Sequence, residues 1–203
     1  MPSSTPSPTR ERIMDATLEL VLERGFGGTA VTDIEAAAGL SPGSGSFYRH
    51  FRSKREVFEA VFERELDRAR RHRTGFERGP VGGAAEAALT RRLLEQLDYL
   101  AAIRPLIMLL AREHGRFPEL TARVREALLD GGIADEAAHL ARDLDGAPGD
   151  EPLRDDPHAV TAVVVSALTG YHLSREFFGR PPAGVAPERF AAALAALLAA
   201  RND

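Results

Sequence analysis

Cysteine is absent from this chain of 203 residues, which removes disulfide frameworks and thiolate chemistry from consideration. Long apolar runs are scarce as well. The longest uncharged one, Ala159 to Ser174 with His172 inside it, is shorter than the roughly 20 residues a membrane-spanning helix requires, and it reads as protein interior. Met1 to Pro8 is rich in Ser, Pro and Thr with no apolar stretch; it reads as a disordered tail (1–8) rather than a secretory signal, so the expected location is the cytoplasm, with no membrane partner. Lysine occurs once, at Lys54, against 25 arginines. With the heavy use of Ala, Gly and Pro this looks like coding bias, so arginine richness alone says little.

The most telling absence is of acid. Between Glu35 and Glu56 there is no acidic residue, while Arg49, His50, Arg52, Lys54 and Arg55 fall in the same stretch. The whole chain carries a net charge of −4, so it cannot coat nucleic acid through bulk charge; any affinity for a polyanion must come from a patch. The imbalance is local. Residues 1–73 hold 12 Lys+Arg against 11 Asp+Glu, and the remaining 130 hold 14 against 19.

Hydrophobic residues make up 44% of the chain, enough for a real core, and they fall at helical spacing. Ile13, Ala16, Thr17, Leu20 and Val21 form one buried face of a helix from Thr9 to Arg24 that Gly25 stops. Thr32-Asp33-Ile34-Glu35 has the pattern of a capping box, opening a short helix that closes at Gly39. Ser53-Lys54-Arg55-Glu56 is a second box, and Val57, Phe58, Val61, Phe62 and Leu66 form the stripe of the helix it opens. Leu40 to Phe51, between the boxes, must hold a turn and a reading helix. Gly79 to Gly83 reads as a hinge. Further helices are expected over Ala84 to Ile103, Pro105 to Glu113, from Phe117-Pro118 to a break at Gly131-Gly132, Pro157 to Phe178 and Pro187 to Ala200, with an acidic loop at Asp145 to Asp156. No strand pattern stands out, apart from Val163-Val164-Val165 inside a helical context.

No catalytic constellation appears. Gly43-Ser44-Gly45-Ser46 lacks the third glycine, the Gly-Lys-Ser/Thr ending and the preceding strand of a phosphate-cradling loop. The six histidines are scattered without metal-ligand spacing, and there is no Gly-x-Ser-x-Gly elbow. The expectation is a protein that is not an enzyme and needs no cofactor.

An α-helix fits the major groove of B-DNA, so a reader needs a trihelical platform, a tight turn and a short helix whose polar residues reach base edges. Phe47 and Phe51, four apart, can face a core while Ser44, Ser46, Arg49 and His50 lie on other faces. Tyr48, Lys54 and Thr32 are suited to phosphate oxygens. A charge run is more often a merely solvated surface, but here it sits between two helix starts.

Thr32-Asp33-Ile34, Ala37-Ala38-Gly39-Leu40-Ser41 and Phe47 through Lys54 together resemble the TetR-type bacterial transcriptional regulators, over roughly Thr9 to Phe62. The resemblance implies a homodimer in which each head reads half of a near-palindromic double-stranded operator while the body binds an unidentified small-molecule effector. One departure stands out. The family usually places its tyrosine seven residues after the turn glycine, whereas Tyr48 follows Gly39 by nine, so the connection Ser41 to Ser46 is two residues longer.

The expected architecture is all-α: a three-helix helix-turn-helix DNA-binding head (9–52) joined to a larger helical ligand-binding and dimerisation domain (53–203) through a connecting helix (53–73). Thr32, Ser44, Ser46, Tyr48, Arg49, His50 and Lys54 are the candidate DNA contacts. Candidate effector contacts are Phe62, Leu66, Leu97, Tyr99, Leu100, Arg104, Met108, His114, Phe117 and Tyr171, all of which could equally be core or surface. Val160, Val164, Ala167, Leu168, Tyr171, Phe190, Leu194 and Leu197 lie on two helices too apolar for solvent, and pairing with a second subunit competes with burial inside one. A helical interaction protein that has lost operator reading, and a regulator without an effector, remain alternatives.

Overall fold

The computed structural model describes residues 7–75, 85–130 and 156–199. Within them the chain is all-helical: α1 (Pro8–Arg24), α2 (Val31–Ala37), α3 (Lys54–Gly75), α4 (Ala85–Ala102), α5 (Arg104–Glu113), α6 (Pro118–Val124) continuing as a π-helical turn Arg125–Asp130, α7 (Pro157–Phe178) and α8 (Pro187–Ala199). Short 3-10 turns occupy Phe47–Arg49 and Pro182–Gly184. The expected hinge at Gly79 to Gly83, the break at Gly131-Gly132, most of the acidic loop and most of the tail lie outside the described residues. Two compact units emerge, Met1–Ala69 with Ile103–Val124, and Arg70–Ala102 with Arg125–Asp203. Thus α5 and α6, which the sequence boundary at 52 assigns to the body, belong to the unit that holds the helix-turn-helix.

The first unit is built on three starts and stops of different chemistry. Ser7 caps α1 by accepting the Arg10 N–H at 3.3 Å, Pro8 occupies the first turn, and Gly25 ends the helix at φ 76°. The α1 stripe of Ile13, Met14, Ala16, Thr17, Leu20 and Val21 is buried. At α3 the Ser53 hydroxyl accepts the Glu56 N–H at 3.1 Å, while the Glu56 carboxylate reaches back one residue further than in a standard box and accepts the Arg52 N–H at 2.6 Å.

The α2 start differs from the sequence expectation. Its cap is Ala30, which has no hydroxyl, and only the reciprocal half of a box exists: the Asp33 carboxylate accepts the Ala30 N–H at 3.2 Å. Thr32 is an exposed residue inside the first turn, and Glu35 turns into the core with Ile34.

Packing within the unit centres on rings. Phe58 stacks on Phe117 with centroids 4.5 Å apart, and Phe26 meets both edge-on at 5.2 and 5.0 Å. Phe117 follows α5 in sequence, so this cluster is what seats α5 and α6 beside the head. Arg64 joins α3 to α1 by donating to Glu11 at 3.0 Å and Asp15 at 2.8 Å. Burial works against the Arg64 charge, but those two carboxylates outweigh it and its pKa is raised.

In the second unit α4 packs on α8 and α7 around Leu93, Leu97, Leu168, Tyr171, Ala191 and Ala195. Ala191 and Ala195 are fully buried, and their small side chains let α8 lie close on α4. Asp156 caps α7 by accepting the Ala159 N–H at 2.9 Å. Tyr171 stacks on Phe190 at 4.3 Å and donates its hydroxyl to the Val185 carbonyl at 2.8 Å. Burial pushes that phenol above its ordinary pKa.

Phe58→Ala removes the central ring of the first unit, and it should lower unfolding free energy by about 3–5 kcal/mol, read from the urea midpoint of the purified protein. A loss below the cost of an exposed substitution would show that the ring cluster does not hold the unit together.

Candidate nucleic-acid interface

The turn after α2 is closed by one residue. Glu35 is 2% exposed; its backbone carbonyl accepts the Leu40 N–H at 2.8 Å, and its carboxylate accepts the Gly43 N–H at 2.7 Å and the Phe47 N–H at 3.1 Å. An unpaired buried amide is costly, so a carboxylate with two acceptor oxygens is a fitting partner for two amides four residues apart. Gly43 and Gly45 sit at φ 75° and 73°, a left-handed conformation that a side chain would strain. Their alternation bends the chain twice between Ser41 and Ser46.

A reading helix is expected over this stretch, and the structure replaces it with the single 3-10 turn Phe47–Arg49. The His50 and Phe51 N–H groups both donate to the Phe47 carbonyl, at 2.9 and 3.1 Å. The physical reason is conformational: Gly43 and Gly45 in the left-handed region interrupt any right-handed helix before Ser46.

This short turn nevertheless sorts its side chains as the sequence pattern requires. Phe47 and Phe51 are 0% and 1% exposed, and Tyr48 between them is 59% exposed. The Tyr48 ring lies edge-on to Phe47 at 5.3 Å, so the ring is seated on one side while most of the residue stays exposed. Arg49 is exposed and donates to the Ser46 hydroxyl at 3.2 Å, which in turn is 2.7 Å from the Ser44 hydroxyl. Ser44, Ser46 and Arg49 therefore form one linked polar tip. His50 is half-buried, and its carbonyl is held by the Arg10 guanidinium at 2.7 Å, which also lies 3.9 Å over the Phe51 ring. Arg10 fastens the start of α1 to the end of the turn.

Lys54 is placed differently from the phosphate contact expected of it. Its ammonium donates to the Phe26 carbonyl at 2.8 Å and the Thr29 carbonyl at 2.7 Å, and stands 4.4 Å over the Phe26 ring. The compact charge satisfies two carbonyls of the loop between α1 and α2 at once, which a planar guanidinium would do less well. Arg55 likewise turns to Glu59 and Glu119. Of the cationic run, Arg49 and Arg52 are exposed, and among the described residues no carboxylate pairs with either.

The candidate effector residues fall in both units. Phe62, Leu66 and Phe117 are core of the first, where Met108 is half-buried and Arg104 and His114 are exposed. Leu97 and Tyr171 are core of the second, with Tyr99 and Leu100 half-buried; burial raises the Tyr99 pKa against the opposing pull of Arg73. His114 borders an open concavity with Gly27, Gly28, Arg112 and Arg116. Beneath it the buried Glu113 carboxylate accepts the Phe26 N–H at 2.7 Å, and Arg112 donates to the Leu22 carbonyl at 2.8 Å, fixing the end of α1 to α5.

Two of the interface candidates are sealed inside the protomer: Leu168 and Tyr171 are 3% and 2% exposed, because α4 and α8 close over that face of α7. Val160, Val164, Ala167, Phe190 and Leu194 are half-buried, and Leu197 is exposed. Val163, on the same apolar helix, and Phe177 and Phe178, which the expectation did not include, are exposed large apolar residues on α7. The residues missed in the head are Glu35 and Arg10. Glu35 did leave a signal, since with Val31, Ile34 and Ala38 it completes the i, i+3, i+4, i+7 stripe of the buried face.

A helical head in which a 3-10 turn after α2 sets an exposed tyrosine and a polar tip on a phenylalanine seat has the layout of a helix-turn-helix head. A family model for "Bacterial regulatory proteins, tetR family" matches residues 13–61. That match covers the helix-turn-helix head, residues 13–61, and so the likeness to the tetR family is one of the head. Over 48 residues it is 46% identical to the HTH-type transcriptional repressor DhaR of Mycobacterium sp. strain GP1, a match covering 24% of this chain and 23% of that protein. The chain thus spans about a quarter of the length of that curated relative. Beyond the head the likeness is one of fold. A protein from Mesorhizobium loti assigned to the TetR family superposes with a TM-score of 0.64 at 18% identity over 95% of each chain, and a TetR-like transcriptional regulator from Rhodococcus sp. RHA1 with 0.60 at 20% over 96% and 95%.

Lys54→Met should cost the fold about 1.5–3 kcal/mol, the worth of hydrogen bonds from a charged donor, measured by chemical denaturation. Full stability in that variant would mean the ammonium does not hold the loop between α1 and α2.

Proposed function

We propose that this protein is a transcriptional repressor that binds a near-palindromic operator as a homodimer and is released by a small-molecule effector. The observation that carries the DNA-reading part is the pairing of an exposed Tyr48 and Arg49 with a sealed Phe47 and Phe51, inside twenty residues free of acid. A hydroxyl and a guanidinium held on a rigid seat meet phosphate oxygens and base edges respectively, while the missing carboxylates avoid repulsion from the duplex. Thr32, at the exposed start of α2, is the second phosphate contact, since helix starts favour anions. Ser44, Ser46 and His50 complete the reading surface; Lys54 supports it from below rather than touching DNA.

Repression follows the curated relative, which is named a repressor. Dimerisation is supported by the exposed apolar side chains of Val163, Phe177, Phe178 and Leu197 on α7 and α8, a combination that water disfavours and a two-fold partner would cover. A dimer sets two heads about 34–36 Å apart, or a multiple of one turn, to match successive major grooves. An effector acts if it binds a conformation with another head separation, which shifts the population away from DNA. Its pocket belongs to the body helices, with Tyr99, Leu97 and Leu100 as the candidate contacts there.

Selection of bound fragments from random DNA tests the central reading. An enriched inverted repeat supports it; retention of no sequence above background sinks it. On the selected site, Tyr48→Phe should weaken binding to all sequences alike, whereas Arg49→Ala should relax preference at one base pair by about 1–3 kcal/mol. Leu197→Glu should shift the protein from dimer to monomer in sedimentation, and an unchanged mass would refute the proposed interface.

A further inference from the structure

We propose that Glu35 is a positioning residue for DNA reading: its buried carboxylate holds the lengthened turn so that the tip of Ser44, Ser46 and Arg49 is presented as a fixed unit. The inference rests on the DNA-reading function proposed above and adds the residue that sets its specificity. Three observations carry it.

The first is geometric. Glu35 binds both ends of the segment that departs from a standard turn, with Gly43 N–H at 2.7 Å and Phe47 N–H at 3.1 Å. Between those two amides lie Ser44, Gly45 and Ser46, and nowhere else in that stretch does a core side chain take a backbone amide among the bonds described. The loop between the anchors is otherwise held by local bonds near the surface: the pair of serine hydroxyls at 2.7 Å, the Ser46 N–H to the Ser44 hydroxyl at 3.3 Å, the Ser44 N–H to the Ser41 carbonyl at 3.2 Å and the Tyr48 N–H to the Gly45 carbonyl at 3.1 Å. The second is burial: a carboxylate at 2% exposure on a face otherwise made of Ile34 and Ala38 is expensive unless it has such partners. The third is connectivity. Arg49 reaches Ser46 and Ser46 reaches Ser44, so displacing the anchored loop displaces the guanidinium that would read a base.

Glu35 touches no DNA in this scheme. Backbone contacts to phosphate come from Tyr48 and Thr32, whose seats are the Phe47 ring and α2; base reading comes from the tip. Loss of Glu35 should therefore separate the two. Non-specific affinity and its salt dependence should persist, because the cations and the phosphate contacts are unchanged, while discrimination between the selected site and random duplex falls.

The test compares the full-length protein with Glu35→Gln, Glu35→Ala, and Glu35→Ala combined with excision of Gly45 and Ser46, which restores a seven-residue spacing from Gly39 to the tyrosine. Three measurements are made below the melting temperature of each variant: amide hydrogen exchange at Gly43 and Phe47, affinity for the selected site, and affinity for random duplex across a salt series. Glu35→Ala should expose both amides to fast exchange and reduce the ratio of specific to non-specific affinity by about tenfold or more, the consequence of one unsatisfied buried amide, at an unchanged salt slope. Glu35→Gln, with one acceptor oxygen left, should fall between. The shortened variant should recover stability and bind DNA with a different sequence preference, and it decides the matter if Glu35→Ala alone does not fold.

An unchanged discrimination ratio in Glu35→Ala, or slow exchange at both amides, overturns the inference. So does a shortened variant that remains as unstable as Glu35→Ala. If the parent protein selects no sequence at all, DNA reading fails instead, and the exchange measurement still decides whether Glu35 holds the turn.

Discussion

A single carboxylate inside the head governs how the exposed surface from Gly43 to Arg49 is arranged. Glu35 sits where α2 ends, and with one backbone carbonyl and two side-chain oxygens it accepts amides from Leu40, Gly43 and Phe47. Those three bonds decide where the chain leaves α2, how the Gly43 and Gly45 bends are spaced and at what height Phe47 enters the core. Because Phe47 is sealed there, Tyr48 must point out, and Arg49 follows it onto the surface. The exposure of the candidate reading residues is thus a consequence of an interior contact.

The cations of the head divide by the same logic. A surface patch would be expected from their clustering, yet several are consumed inside the unit. Arg10 clamps the His50 carbonyl and Phe51, Lys54 fills the loop between α1 and α2, Arg64 ties α3 to α1, and Arg112 holds the last turn of α1. Each satisfies backbone or carboxylate oxygens that a small unit cannot leave unpaired. What remains outside is a narrower positive feature around Arg49 and Arg52, so in a chain of net charge −4 the proposed DNA reading rests on a local contact rather than a field.

The body follows a simpler constraint. Alanines at 191 and 195 bring α8 onto α4, and the leucines of α4 meet Leu168 and Tyr171 of α7. This closure takes Leu168 and Tyr171 out of contention as partner contacts and leaves Val163, Phe177, Phe178 and Leu197 on the outside. Periodicity marks both groups as apolar and cannot separate them, since a face buried in the protomer and a face waiting for a partner have the same composition.

Helix bounds are written locally, and the stop at Gly25 and the start at Ser53 stand where the sequence pattern put them, whereas the start of α2 does not. Ser7, Ser53 and Asp156 act as caps and Gly25 and Gly179 as stops, because propensity, capping and left-handed glycines act over a few residues. The family resemblance was legible for the same reason, being a contiguous pattern around Phe47 to Lys54. Other features depended on partners distant in sequence: Glu35 on amides 8 and 12 residues away, Lys54 on carbonyls 25 and 28 away, Arg10 on a carbonyl 40 away, and Glu113 on an amide 87 away. Whether a charged side chain faces solvent or fastens the interior turns on which unpaired oxygens and amides the fold brings near it. Local pattern holds no record of that, and so the 3-10 turn in place of the reading helix, and the seating of Lys54 against the Phe26 and Thr29 carbonyls, were decided only when the chain closed on itself.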